Sequence, residues 1–136
     1  MDIIRIVIDT NILVAAILSG RGASARLIEL CGKGLFDHIL SVPLAFEYEA
    51  ACRFCIRDTV IAESLLDALI QSATLVEIPF LVRPLLRDPN DEMVLEAAVN
   101  GGCRYVVTFN KRDFAGARSY GISVVSPGEF LTIIGR

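Results

Sequence analysis

The chain of 136 residues contains one histidine, His38. A Ser-His-Asp or Cys-His nucleophile needs a histidine beside the attacking group. His38 opens a short strand, far in chain order from the other polar motifs, so it is read as structural or surface and histidine-based hydrolysis is set aside. Cysteines are few too, at 31, 52, 55 and 103. Cys52 and Cys55 form a CxxC inside "EYEAACRFCIRD", which reads as helix, and no second pair follows. A zinc site lacks its ligands, and the thiols are read as reduced and buried. Long apolar runs are missing: "ILVAAIL" (12–18) is seven residues, where a membrane span needs about 20. The opening "MDIIRIV" has no basic region or small-residue cleavage site, so a cytoplasmic protein without membrane contact is expected. Excess positive charge is absent as well. The net charge is −3 and the pI near 5.1, which taken alone argues against a nucleic-acid binder.

What is present is apolar and regularly arranged. The hydrophobic fraction is 54% and mean hydropathy +0.57, values of a well-buried globular chain. "IIRIVI" (3–8) reads as a strand buried on both faces. Helix follows at 11–18, broken by "GRG" (20–22), and again at 23–34, with Leu27, Ile28, Leu30 and Cys31 at helical spacing. "HILSV" (38–42) is a strand, and Pro43 suits the first turn of a helix reaching about Arg57. A second helix spans 60–73, with Ile61, Leu65, Leu66, Leu69 and Ile70 as its stripe, then a strand at 74–78. "FLVRPLLRDPN" is a connection. A helix at 91–102, strands at 104–109 and 123–126, and a helix from "PGEFLTII" complete the chain. No linker, repeat or low-complexity tract appears. Alternating strand and helix predicts a single α/β domain over 1–136, a three-layer α/β/α sandwich with a central parallel sheet.

In such sheets ligands bind at the carboxyl ends of the strands, near the switch in strand order. Asp9 ends the first strand, and Thr108 and Asn110 end "YVVT", with Asp113 three residues on. Asp88 and Asp91 lie in "RDPND", and Glu47 lies about one turn into the helix after "ILSV". Each has a plainer reading. Asp9 or Thr10 could cap the next helix. Asp88, Pro89 and Asp91 match a cap, a first-turn proline and a dipole-favoured acid. Glu47 could be a solvated face, and Asp113 a cap. Together they point elsewhere, because converging carboxylates repel one another and ask for a cation. Oxygen-only ligands select Mg²⁺ or Mn²⁺ over zinc. "SPGE" is read as a capping box, with Ser126 as cap and Glu129 three residues on, which leaves Glu129 out of the site.

Five segments, "VIDTNIL" (7–13), Glu47 in "SVPLAFEYE", "RDPND" (87–91), "VVTFNKRDF" (106–114) and "SPGEFL" (126–131), together resemble the PIN-domain proteins, nearest to the VapC-like toxins of toxin–antitoxin systems. The resemblance spans nearly the whole chain. It implies a metal-dependent ribonuclease with a compact α/β/α sandwich, an antitoxin partner and a homodimer. Carried over, Asp9, Glu47 and Asp91 match the metal carboxylates, and Asp113 the acid of the "DF" ending. Thr10 and Asn11 match the accessory polar pair, and Asp88 an acid of this subgroup. One position departs: Asn110 stands where many members have Asp, leaving one or two ions open.

The charge objection then weakens. Setting aside Asp9, Glu47, Asp88, Asp91 and Asp113 turns −3 into +2. Arg21, Arg87, Lys111 and Arg112 lie in loops read as next to the acidic edge, as phosphate contacts or solvated charges. The modest field suits short or structured single-stranded RNA. Two other readings stay open. One is a PIN-like module that binds RNA or protein without hydrolysis, which Asn110 favours. The other is a phospho-receiver domain, against which the "LSVP" ending of the second strand speaks.

Overall fold

The computed structural model describes residues 3–55, 59–79 and 89–136. Five strands form one sheet: β1 (Arg5–Ile8), β2 (Asp37–Leu40), β3 (Thr74–Leu75), β4 (Tyr105–Val107) and β5 (Ser123–Val125). Every pairing is parallel and the order is β3-β2-β1-β4-β5. The helices are α1 (Thr10–Ser19), α2 (Gly22–Leu30), α3 (Val42–Cys55), α4 (Thr59–Ser72), α5 (Pro89–Asn100) and α6 (Pro127–Ile133). They flank the sheet as a three-layer α/β/α sandwich. Helix α1 packs on α2 and α3, α2 on α6, and α3 on α4, while α5 lies against β1, β2 and β4. No helix among the described residues is long and apolar enough to cross a membrane.

The strand order has a physical cause. Ile6, Val7 and Ile8 are wholly buried, so β1 takes the centre, where both sheet faces are covered. The edge strands are short, which limits exposed ladder groups. From β1 the chain steps through β2 and β3 on one side and through β4 and β5 on the other. The order therefore switches between β1 and β4, and their carboxyl ends flank the crevice that such a switch opens.

Most expected elements are present, with differences at their ends. Helix α2 stops at Leu30, short of residue 34, because Cys31 is extended. Strand β3 covers two residues of the expected 74–78. On α4 the buried positions are Ala62, Leu66 and Leu69, and Ile61 is exposed. The expected connection falls largely on residues 80–88, outside the described residues. One element has no counterpart in the expectation: two 3-10 turns over Lys111–Tyr120, joined by a kink at Phe114. Polar residues alternate there with small ones and leave no periodic stripe. The anchors are the buried Phe114 and Ala117.

Local chemistry fixes the boundaries. Gly20 ends α1 in the left-handed region, φ 65°, and its N–H donates to the Ala16 carbonyl. The capping box of α6 forms as read: the Ser126 hydroxyl accepts from Glu129 N–H at 3.1 Å, and Ser126 N–H donates to Glu129 Oε1 at 2.9 Å. Gly101 answers a different need. A Cβ there would lie 2.6 Å from Ile39 Cγ2 and 2.8 Å from the Ala97 carbonyl oxygen. Gly101→Ala is expected to cost about 1–3 kcal/mol through overpacking, read as a lower thermal midpoint against the parent.

His38 is buried on β2, with Nε2 2.9 Å from Ser72 Oγ and Nδ1 without a hydrogen-bond partner among the described residues. Burial lowers its pKa to about 4, with the Leu69 carbonyl and Asp37 opposing. It is a neutral core residue, consistent with its structural reading. Burial likewise pushes the Cys31 and Cys103 thiols up to about 12, far from a reactive thiolate.

Candidate functional site

Asp9 stands one residue beyond β1, and its N–H donates to the Val107 carbonyl at 2.9 Å, the last rung between β1 and β4. Thr108 N–H makes the corresponding bond to Val125 of β5. The two residues, 99 apart in sequence, thus end neighbouring strands at the switch point. The Thr108 hydroxyl donates to Asp9 Oδ2 at 2.7 Å and accepts from Asn110 N–H at 3.0 Å. One buried hydroxyl therefore orients the carboxylate and the turn carrying Asn110.

The backbone of Asp9 occupies the N-cap position of α1, but its side chain makes no capping hydrogen bond. Its carboxylate belongs to the crevice. Asp9 is only 5% exposed, and burial raises its pKa. The charge of Asp113 adds to the rise, while the Thr108 hydroxyl and the amides of Thr10 and Asn11 oppose it. Among the described residues Asp9 has no basic partner. The corner therefore holds a carboxylate short of positive charge.

Tyr48, absent from the expected site, fastens α3 to this corner. It is fully buried and its hydroxyl donates to the Ile8 carbonyl, the last of β1. Burial and then the charge of Asp9 hold the phenol well above its usual pKa. Glu47, the preceding residue, is half-buried on α3. Asp91 is half-buried in the first turn of α5, which packs on β1 and β4. Thr10 is buried and Asn11 exposed at the start of α1.

Thus Asp9, Thr108, Asn110 and Asp113 come together. Glu47 lies on α3, which Tyr48 ties to the end of β1, and Asp91 on α5, which packs on β1 and β4. Among the described residues, no three acidic, histidine or cysteine side chains gather as a ligand set for an ion. Asp88 and Arg87 lie outside the described residues. Arg112 is exposed beside Asn110. Lys111 is spoken for: its ammonium pairs with the Glu129 carboxylate. That contact, with the Ser126 amide and hydroxyl, holds Glu129 down to about 2. Arg21 sits beyond the far end of the ten-residue α1, about 15 Å along the helix from Asp9.

Two buried carboxylates escaped the sequence reading. Glu92 and Glu96 are each 4% exposed, one helical turn apart on α5. The usable signal was Glu96 within "VLEAAV", an acid at helical spacing inside an apolar run. For Tyr48 the signal was only its place next to Glu47.

The oxygen donors of this corner match a hard divalent cation, and among the described residues no thiol or imidazole joins them. The buried, cation-poor Asp9 carboxylate is the observation that fits such an ion. Comparison with known proteins agrees with this architecture. Among solved structures the chain is similar to VapBC2 from Rickettsia felis, a structure bound to a DNA fragment from their promoter. The match has a TM-score of 0.65 at 17% identity and covers 90% of this chain and 98% of that one. No curated protein matches the sequence. The family model for the PIN domain matches residues 5–112, a span that runs from the first residue of β1 past Asp9, Thr108 and Asn110. With the strand-end carboxylate, the parallel sheet and the family model in agreement, the chain belongs to the PIN-domain family.

Proposed function

We propose that this protein is a divalent-metal-dependent endoribonuclease that hydrolyses RNA phosphodiester bonds and acts as the toxin of a toxin–antitoxin pair. The observation that carries the reading is Asp9: a buried carboxylate, oriented by Thr108 at the strand-order switch, with a raised pKa and no basic partner among the described residues. Asp9, Glu47, Asp91 and Asp113 would hold Mg²⁺ or Mn²⁺. Such an ion supplies Lewis-acid polarisation of the phosphodiester and a lowered pKa for water.

The chain's own residues do the rest. Thr108 fixes one oxygen of Asp9 and leaves the other toward the crevice. Asn110 offers a neutral oxygen where a further acid would add repulsion. Arg112 meets a phosphate of the bound strand. Thr10 and Asn11 present the first amides of α1 toward the Asp9 carboxylate, and so favour its ionised form. A single domain over 1–136 suffices for this site. An antitoxin that places a basic side chain against Asp9 would supply the missing positive charge and block the metal. The proposed setting is cytoplasmic, with the toxin as a homodimer.

Clean protein incubated with an RNA pool is expected to cut it in Mn²⁺ or Mg²⁺ and to stop when chelator is added. Absence of any cleavage with Mn²⁺ would favour the second reading, a PIN-like module that binds RNA or protein without hydrolysis. The neutral Asn110 is the observation that favours that reading.

A further inference from the structure

Phe109 directly follows Thr108, yet it is 52% exposed while Thr108 is fully buried. The Asn110 N–H bond back to the Thr108 hydroxyl turns the chain here. A shallow concavity of about 410 Å³ lies over this turn, lined by Phe109, Asn110, Lys111, Arg112 and Asp113. Asp113 acts electrostatically on Asp9, so the concavity and the buried carboxylate share one end of the sheet. Single exposed apolar residues need no explanation. An exposed ring that shares a hollow with a guanidinium and an acid of the candidate site does.

We infer that Phe109 is a stacking platform for an unpaired nucleobase next to the scissile phosphate, with Arg112 meeting the adjoining backbone. The inference rests on the ribonuclease reading of the Asp9 corner and narrows its substrate to single-stranded RNA. The ligand chemistry follows from the residues. A phenyl ring has no hydrogen-bonding atom, so it accepts any base face without reading its edge. A base inside a duplex is stacked on its neighbours and cannot reach the ring. Lys111 is held by Glu129 and Arg112 has no carboxylate partner among the described residues. The hollow thus offers Arg112 as its free positive group, which suits one phosphate rather than a long backbone track.

The test is binding in chelator, where no strand is cut. The probes are a short single-stranded RNA of mixed sequence, the same strand in a duplex, and an oligomer of the same length with abasic sugars. The parent should prefer the single strand to both others. Phe109→Ala should weaken single-strand binding about tenfold, the loss of one base–aromatic stack, and leave abasic binding unchanged. Phe109→Leu should behave as Ala, and Phe109→Trp should keep parent affinity. The Phe109→Ala loss should persist at high salt, whereas an Arg112→Gln loss should fade as salt rises. Phe109 is exposed, so its variants should melt with the parent.

Equal affinity for parent and Phe109→Ala would overturn the inference and leave the ring to a protein contact. Parent-like single-strand affinity of Phe109→Leu, or a parent that binds abasic and normal strands alike, would overturn it too. A parent that prefers the single strand but never cuts with Mn²⁺ would remove the ribonuclease reading and leave the stacking platform in place.

Discussion

Asp9→Asn is expected to lower RNA cleavage by about 10³-fold, the scale on which losing several kcal/mol of charge stabilisation acts. The same variant should melt higher than the parent at neutral pH without metal. Burial holds the folded-state pKa of Asp9 above the ordinary value of 3.8, so folding favours the protonated carboxyl. That contribution is complete below pH 3.8 and is lost as the pH rises through the folded value. At pH 7 the unfolded chain favours the ionised acid, so the buried acid costs the parent stability, and the variant has no such cost. The thermal advantage of Asp9→Asn should shrink as the pH falls toward 3.8. Divalent metal reverses the order. An ion that binds only the folded parent adds about 2.7 kcal/mol at 100 times its dissociation constant, and Asp9→Asn should forfeit most of that gain. If Asp9 merely capped α1, Asn would cap as well as Asp, and the two proteins would melt alike in chelator and in Mn²⁺. Cleavage rates and melts at several pH values, with and without Mn²⁺, separate these outcomes.

Thr108→Val is expected to reduce cleavage about 10–100-fold, the usual cost of removing a group that orients a metal ligand. Valine has nearly the shape of threonine but neither gives nor accepts a hydrogen bond. Two bonds vanish together, to Asp9 Oδ2 and from Asn110 N–H. The fold should lose about 1–3 kcal/mol, as for buried polar groups left unpaired. The sign of the pH effect distinguishes orientation from simple damage. The Thr108 hydroxyl lowers the Asp9 pKa, so its removal lets that pKa rise further. The acidic limb of the pH–rate profile should move to higher pH. Thr108→Ser, which keeps the hydroxyl, should restore the parent profile. A profile that falls uniformly, with no shift and no rescue by serine, would assign Thr108 to packing alone.

The alternation of strand and helix was plain in the chain because it is local. "IIRIVI" reads as a central strand, and its last three residues are wholly buried, while Ile3 is exposed and precedes β1. The α6 capping box was plain for the same reason, since all its partners lie within four residues. The position of Asp9 at a strand end was plain too, although the same position is the N-cap of α1 and left capping as a competing use. The 3-10 turns of Lys111–Tyr120 were not, because short turns held by two buried anchors carry no period.

The pattern of residues alone determined that this is an α/β chain and that its polar groups collect at strand ends. Tertiary structure decided which ends meet. Nothing near Asp9 in sequence marks Thr108, and they touch only because β4 inserts beside β1 after 99 intervening steps. Pairing across a crossover depends on where the whole chain turns back. The sequence leaves Lys111 as a phosphate contact or a solvated charge, and packing of α6 pairs it with Glu129. Glu92 and Glu96 are buried only because α5 is laid on the sheet. Burial and partner choice are properties of packed elements, so the electrostatics of this corner belong to the fold and not to any segment of it.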